Sequence, residues 1–558
     1  MSNLRNRAIG VIAALATVTA CVDPRESLTS PADQISTAVS LSKNEVDSTL
    51  FAQFGDTELL DIVLEVPSYG GHYQERDGTI VVWSTDKSFD LQARRAVQAR
   101  VANGRIFTGT RGVIPTVISR HGRYSVLELA RWREAIARHR LSIKWTMLDL
   151  NEGRNQVTVG VPPEEYSALS SGGLERALIS IGVPMSAVHL VAADPLKAQS
   201  VSNRSSYVPA HQGAYADSLV GGLRYSWNLF GVWKGCTIGF PASTSTNQRG
   251  FISASHCSQQ KWGSDTASLS QPKGGAQIPV IGSELWDMGP GTCPFFWSCN
   301  HYRFSDANFN RVTVNSPAVK VGYLARPSSR NQNVGSDTTI SMADPYIEVG
   351  GETSSIMQGS NIDQIGATSG WTYSQVDETC VTWDNAYWPF NGQALRCSYI
   401  VNADYKDGDS GGPVFYLSGG KAIAAGIIAA KTINPIVGNH RGVFSKFMYV
   451  RNEIQAGGFT FSILPTSSPP NYYPYSASIN GASSVRPNAS CHFMAGSNIA
   501  YTSLTWRVNG VAVGQNWDLY YSSSSSFTLE LEVSDGVNVA FATKSITVSA
   551  SAAECYDQ

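Results

Sequence analysis

The most constraining stretch of this chain is Gly408-Asp409-Ser410-Gly411-Gly412-Pro413-Val414. A serine set between an acid and two glycines suits a tight, open turn. Glycine takes up backbone angles closed to other residues and lets the main chain approach a ligand closely. Two N–H groups of such a turn, those of Gly408 and Ser410, can point at one spot and stabilise an oxyanion. A serine hydroxyl is a weak nucleophile at neutral pH. It needs a base, and the base needs an orienting carboxylate. The turn therefore predicts a histidine and an aspartate elsewhere. The competing reading, a polar glycine-rich surface loop, predicts neither.

Both partners have candidates upstream. Phe251-Ile252-Ser253-Ala254-Ser255-His256-Cys257 is a short apolar strand that ends in small residues, a histidine and a cysteine. A histidine at a strand end can be held by a rigid scaffold, although a lone histidine is more often a surface or satisfied core residue. Tyr302-Arg303-Phe304-Ser305-Asp306-Ala307-Asn308-Phe309 places an aspartate between small residues, as burial against an imidazole requires. Asp287, in Leu285-Trp286-Asp287-Met288, is the second choice for that carboxylate. The order His256, Asp306, Ser410 is the chymotrypsin-like one, unlike the orders of α/β-hydrolases and subtilisins.

On these residues, the stretch 205–460 resembles a chymotrypsin-fold serine protease, nearest the bacterial streptogrisin-like and α-lytic-like branch. The matching segments are Gly221-Gly222, Cys236 to Phe240, Ser255-His256-Cys257, Ser305-Asp306-Ala307, Gly366-Ala367-Thr368-Ser369-Gly370-Trp371 and Gly408 to Pro413. The resemblance implies a mostly β fold with a double β-barrel and no cofactor. It assigns general base to His256, orienter to Asp306, nucleophile to Ser410, and the oxyanion hole to Gly408 and Ser410. Its substrates would be proteins or peptides, and the chain would act as a monomer.

The 558 residues are too many for one ordinary core and predict several units. A net charge of −2, with 15% charged residues, leaves no electrostatic footprint for nucleic acid. Arg5 and Arg7 precede an apolar run from Ala8 to Ala20, too short to span a membrane comfortably, so residues 1–20 read as a signal peptide. Val18-Thr19-Ala20-Cys21 resembles a bacterial lipobox, which would attach lipid to Cys21 and hold the protein at the cell envelope. The alternative is an ordinary secretory signal cleaved near Ala20. Of the nine cysteines, removal of Cys21 leaves an even eight, as expected in an oxidising compartment. Sequence neighbours suggest Cys236–Cys257, Cys293–Cys299, Cys380–Cys397 and Cys491–Cys555. The first resembles the family's disulfide beside the catalytic histidine. No Cys-x-x-Cys pair occurs, which argues against metal binding.

Residues 22–43 read as a polar tether. Residues 44–200 read as an α/β unit. Within it, Ile62 to Val66 and Thr79 to Trp83 predict a hairpin around Gly70-Gly71. Leu91 to Val101 and Val126 to Arg140 predict helices, and Ile143 to Leu150 with Gln156 to Val161 a second hairpin. Pro162-Pro163-Glu164-Glu165 opens a helix well. By resemblance this unit is a pro-region that assists folding and inhibits the protease. An accessory or substrate-binding domain is the other reading. A β-rich domain of high contact order folds slowly, which gives a docked helper a physical role. Ala192 to His211, rich in serine, reads as the processing linker. Residues 464–475 are a proline-rich spacer. From 476 to 558 apolar and polar residues alternate at period two. Cys491 and Trp506 fit an immunoglobulin-like β-sandwich, although the second cysteine is missing from its usual strand.

Specificity stays open at this level. Asp404 lies six positions before Ser410, where one frame puts it at the floor of the S1 pocket and favours Arg or Lys. The bacterial frame makes it a wall or turn residue. Ala429, Ala430 and Lys431 stand where the family has a serine and glycines, and Lys431 would narrow the pocket or favour an acidic side chain. No arginine precedes Gly366 to pair with Asp409. Two rival functions are a non-catalytic protease homologue and a surface adhesin dominated by the C-terminal unit.

Overall fold

The computed structural model describes residues 46–552, except 108–114, 141, 197–218, 230–231, 266–267, 271–279, 290, 293–300, 314–318, 342–343, 385–392, 434–439, 467–476, 498–502 and 535–538. Cys21, Cys293, Cys299 and Cys555 lie outside the described residues, and with them the expected lipid site and two of the four expected disulfides. The other two, Cys236–Cys257 and Cys380–Cys397, are formed. The described chain is mostly β, in several sheets. No helix among the described residues is long and apolar enough to cross a membrane.

The first strand expected near Ile62 is a helix instead. Thr57–Glu65 buries Leu59, Ile62 and Val63 at helical spacing, with Glu58 in its first turn where the helix dipole favours an acid. The hairpin is built one segment later, from Tyr69–Gln74 against Ile80–Ser84, with Gln74 opposite Ile80. Val117–His121 adds in parallel. Helices Asp90–Ala102 and Val126–Arg138 accompany this sheet. Ser125 and Glu128 form a capping box that fixes where the second of them begins.

Three further strands, Met147–Asn151, Gln156–Val161 and Val188–Ala192, do not close a separate sheet. Thr382 and Trp383 of the long strand Gly370–Trp383 pair with Leu148 and Met147, so the N-terminal strands extend a fifteen-stranded sheet. Side chains reinforce the joint. Lys446 pairs with Glu58 at 2.5 Å, Thr379 donates to Glu152 at 2.9 Å and the Gly153 N–H donates to Gln358 at 2.7 Å. Burial at this joint holds the Asp149 carboxyl far above its usual range and pushes Glu152 up to about 8, with neighbouring acids adding to both. The segment expected as a linker is not wholly a linker. Within its described part, Ala192, Ala193 and Leu196 are buried, while Asp194 and Pro195 are half-buried.

The rest of the fifteen-stranded sheet includes Gln393–Val401, His440–Lys446, Lys421–Ile433, Pro413–Ser418 and Asn361–Gly366. A second sheet of eight strands contains Phe240–Thr244, Arg249–Ser253, Asn308–Val312 and Val280–Asp287. One apolar core joins the two, with Phe240, Ile252 and Phe309 from the smaller sheet and Ile365, Phe415 and Ile427 from the larger. Helix Phe447–Ala456 lays Phe447, Val450 and Ile454 on that core. Burial of each such side chain contributes about 2 kcal/mol, which makes this seam a firm base for any group at its edge.

Residues 477–552 form two more sheets. One holds Ala477–Asn480, Cys491–Ser497 and Asp518–Tyr521. The other holds five strands, among them Ser503–Val508 and Phe527–Ser534. Burial along Phe527–Ser534 alternates strictly, as a strand with one wet face requires. Phe493, Trp506, Leu529 and Leu531 share its core, and the Trp506 indole N–H donates to the Asn516 carbonyl at 2.8 Å.

Candidate active site

His256, Asp306 and Ser410 meet where the two large sheets abut. Strand Arg249–Ser253 ends in a single helical turn, Ser255–Cys257, that presents His256. The Cys236–Cys257 disulfide ties this turn to strand Val232–Thr237. Asp306 sits between the strands His301–Arg303 and Asn308–Val312. Its Oδ2 is 2.5 Å from His256 Nδ1, its Oδ1 accepts from the His256 N–H at 3.2 Å, and its own N–H donates to Ser445 Oγ at 2.9 Å. His256 Nε2 is 2.9 Å from Ser410 Oγ. All three side chains are buried. The imidazole thus bridges the carboxylate and the hydroxyl. A ring whose Nδ1–H faces a carboxylate leaves Nε2 as the acceptor for the serine proton.

Asp287 does not reach the imidazole. It accepts from Ser255 Oγ at 2.5 Å, from the Gly263 N–H at 3.1 Å and from Arg303 at 2.6 Å. Arg303 is itself buried and pairs with Glu453, which also receives Ser305 Oγ at 2.5 Å and the Phe304 N–H at 2.8 Å. This network fixes the segments on either side of His256 and Asp306. Burial pushes the Asp287 carboxyl up, with Arg303 opposing.

The serine turn is held from both sides. Thr237 Oγ1 donates to the Gly408 carbonyl at 2.7 Å, and the Thr237 N–H to the Ser410 carbonyl at 2.8 Å. Gly408 has φ +101° and Gly411 has φ +85°, where side chains are strained. A Cβ on Gly411 would stand 2.0 Å from Ser253 Oγ, so glycine is required there. Among the described residues, the N–H groups of Gly408 and Ser410 donate to no protein group, while those of Asp409, Gly411 and Gly412 are all bonded. The two open donors are those expected for the oxyanion.

Among the described residues, Asp409 has no arginine partner. It is fully buried and takes the Thr368 and Ser369 N–H groups at 2.9 Å each, Ser369 Oγ at 2.5 Å and the Lys406 N–H at 2.7 Å. Burial raises its carboxyl, and these four donors oppose the rise. Of the S1 candidates, Asp404 pairs with Lys406 and Lys431 with Asp407 at 3.2 Å, while Ala429 is buried. The contributions of Thr237, Ser369 and Ser445 are not visible from spacing. Thr237 and Ser369 do lie within segments that carry the family resemblance. Asp56 comes close to Cys380 and Cys397, but both sulfurs are committed to their disulfide and cannot serve as metal ligands.

No family model and no curated protein sequence matches the chain. Among solved structures it is similar to a Nocardiopsis protease, NAPase, at 20% identity and a TM-score of 0.29. That similarity covers 44% of this chain and 99% of the other.

Proposed function

We propose that this protein is an exported serine endopeptidase that cuts peptide bonds through an acyl-enzyme. The observation that carries the reading is the imidazole of His256, 2.9 Å from the Ser410 hydroxyl and 2.5 Å from the Asp306 carboxylate. In this mechanism Ser410 Oγ attacks the carbonyl carbon while His256 Nε2 takes its proton. Asp306 keeps the ring in the useful tautomer and stabilises its positive charge. The Gly408 and Ser410 N–H groups receive the oxyanion. His256 then protonates the leaving amine, and water, activated by the same ring, releases the acyl group.

In this reading residues 205–460 form a two-barrel protease domain, residues 44–200 a pro-region docked on it and residues 476–558 an immunoglobulin-like domain. Two disulfides support export to an oxidising compartment. A fluorophosphonate probe tests the reading. The protein should be labelled at Ser410, and Ser410→Ala should lose labelling while its circular dichroism is unchanged. Labelling that survives in the alanine variant removes Ser410 from the role. A non-catalytic homologue would not be labelled at all. An adhesin would keep surface attachment after Ser410→Ala and lose it on deletion of residues 465–558.

A further inference from the structure

Resting on the peptidase reading, we propose that the cleft selects a leucine-sized aliphatic side chain on the acyl side of the cut bond, and that Asp194-Pro195-Leu196 is this chain's own example. The path of the backbone is the first observation. Strand Val188–Ala192 leads into Ala193, whose N–H donates to the Val161 carbonyl at 2.8 Å and whose carbonyl accepts from Thr146 Oγ1 at 2.9 Å. One residue on, the Asp194 carbonyl accepts from Thr432 Oγ1 at 3.4 Å. The chain has therefore left the N-terminal strands and reached strand Lys421–Ile433.

The second observation is where Leu196 ends up. It is fully buried and shares one apolar cluster with Trp262, Ala429, Ala430 and Val443. Ala429 directly follows Ile428, which exchanges hydrogen bonds with Gly411 and Gly412 of the serine turn at 2.8 and 2.9 Å. The Trp262 N–H donates to Ser255, the residue before His256, at 3.0 Å. The cluster thus includes one residue next in sequence to a partner of the nucleophile turn and one bonded to the residue before the base. Asp194 meets Thr432 while Leu196 joins Ala429 and Ala430, so the two segments run in opposite directions, as a substrate strand added to a sheet edge would.

The third observation concerns charge. The ion pairs that neutralise Asp404 and Lys431 use Lys406 and Asp407, partners in the same turn region. The residues of strand Lys421–Ile433 that share the cluster with Leu196 are small and apolar, Ala429 and Ala430, and they directly follow the Ile428 that is bonded to the serine turn. Cutting after Leu196 adds one water across its amide bond. The carbonyl carbon passes to Ser410 Oγ and then to water oxygen, and the proton held by His256 goes to the leaving nitrogen.

The test uses the full chain as purified and tetrapeptide p-nitroanilides of the form Ala-Asp-Pro-X. With X as Leu, kcat/KM should exceed that for Ala at least about tenfold, since each apolar group in such a pocket contributes a factor of roughly 10–200. Arg and Glu should rank lowest. Ala430→Leu should bring the Leu-to-Ala ratio below one. Mass spectrometry should find a fragment ending at Leu196 in the active chain, absent from Ser410→Ala and from Leu196→Asp. An enzyme that labels with fluorophosphonate yet prefers Arg or Glu, or that cuts itself elsewhere and not at Leu196, overturns this inference and leaves the peptidase reading standing. A protein that neither labels nor cuts overturns both.

Discussion

Glu152→Gln isolates the electrostatic strain in the joint between the N-terminal strands and the larger sheet. Glu152 is buried against Gly71, accepts from Thr379 at 2.9 Å, and lies near the acids Asp149, Asp56 and Glu58. Burial, with Asp56 second, lifts its carboxyl from an ordinary 4.5 to about 8. Below pH 4.5 the group is protonated in the folded and unfolded chains alike and makes no difference. Above 4.5 the unfolded chain ionises and gains, while the folded chain does not follow until about 8. Folding stability therefore falls as pH rises through that window and levels off beyond it. Each unit is worth ~1.4 kcal/mol, so the window is worth on the order of 3–5 kcal/mol, the lower end if Asp149 shares the titration. Glutamine stays neutral throughout and keeps an acceptor for Thr379. Urea denaturation of Ser410→Ala, with and without Glu152→Gln, at pH 4.5, 6 and 8 reads the effect. The variant should gain on its parent by several kcal/mol between pH 4.5 and 8. A gap that is constant with pH, or one that moves toward the parent, refutes the argument.

Asp306→Asn should lower kcat by about 10⁴-fold, because the amide favours the wrong imidazole tautomer, whereas Asp287→Asn should act mainly on stability. Steady-state kinetics and thermal melts on both variants separate these effects. Asp409→Ala leaves four donors on Thr368, Ser369 and Lys406 without their acceptor and should cost roughly 3 kcal/mol or more, seen as a lower urea midpoint. Gly408→Ala places a Cβ 2.6 Å from Thr368 Oγ1 at a φ of +101°, and should reduce fluorophosphonate labelling more than it reduces stability.

How far the sequence could be read depended on where each answer lay along it. The serine turn and the histidine strand are legible because each packs its chemistry into seven consecutive residues. Glycine at 408 and 411 is required by the backbone angles at those positions. The run Ile62 to Val66 reads as a strand since it is apolar but for Glu65 and largely β-branched. It is a helix because burial at Leu59, Ile62 and Val63 follows helical spacing, and the contacts that bury those residues come from elsewhere in the fold. The support of Asp409 is equally hidden. Three of its four donors are main-chain N–H groups, two of them about forty positions upstream, and nearly any residue type can supply those. Leu196 stands in a polar, serine-rich stretch, and its burial follows from the path the N-terminal strands impose.

The pairing of Leu148 and Met147 with Thr382 and Trp383 has a cost that appears only on separation. Detaching residues 46–196 would turn an interior row of the larger sheet into a bare margin carrying Trp383, now almost fully sequestered. Such margins invite other chains. The liberated 219–466 portion should associate with itself more readily as concentration rises, and its tryptophan emission should shift to the red on release.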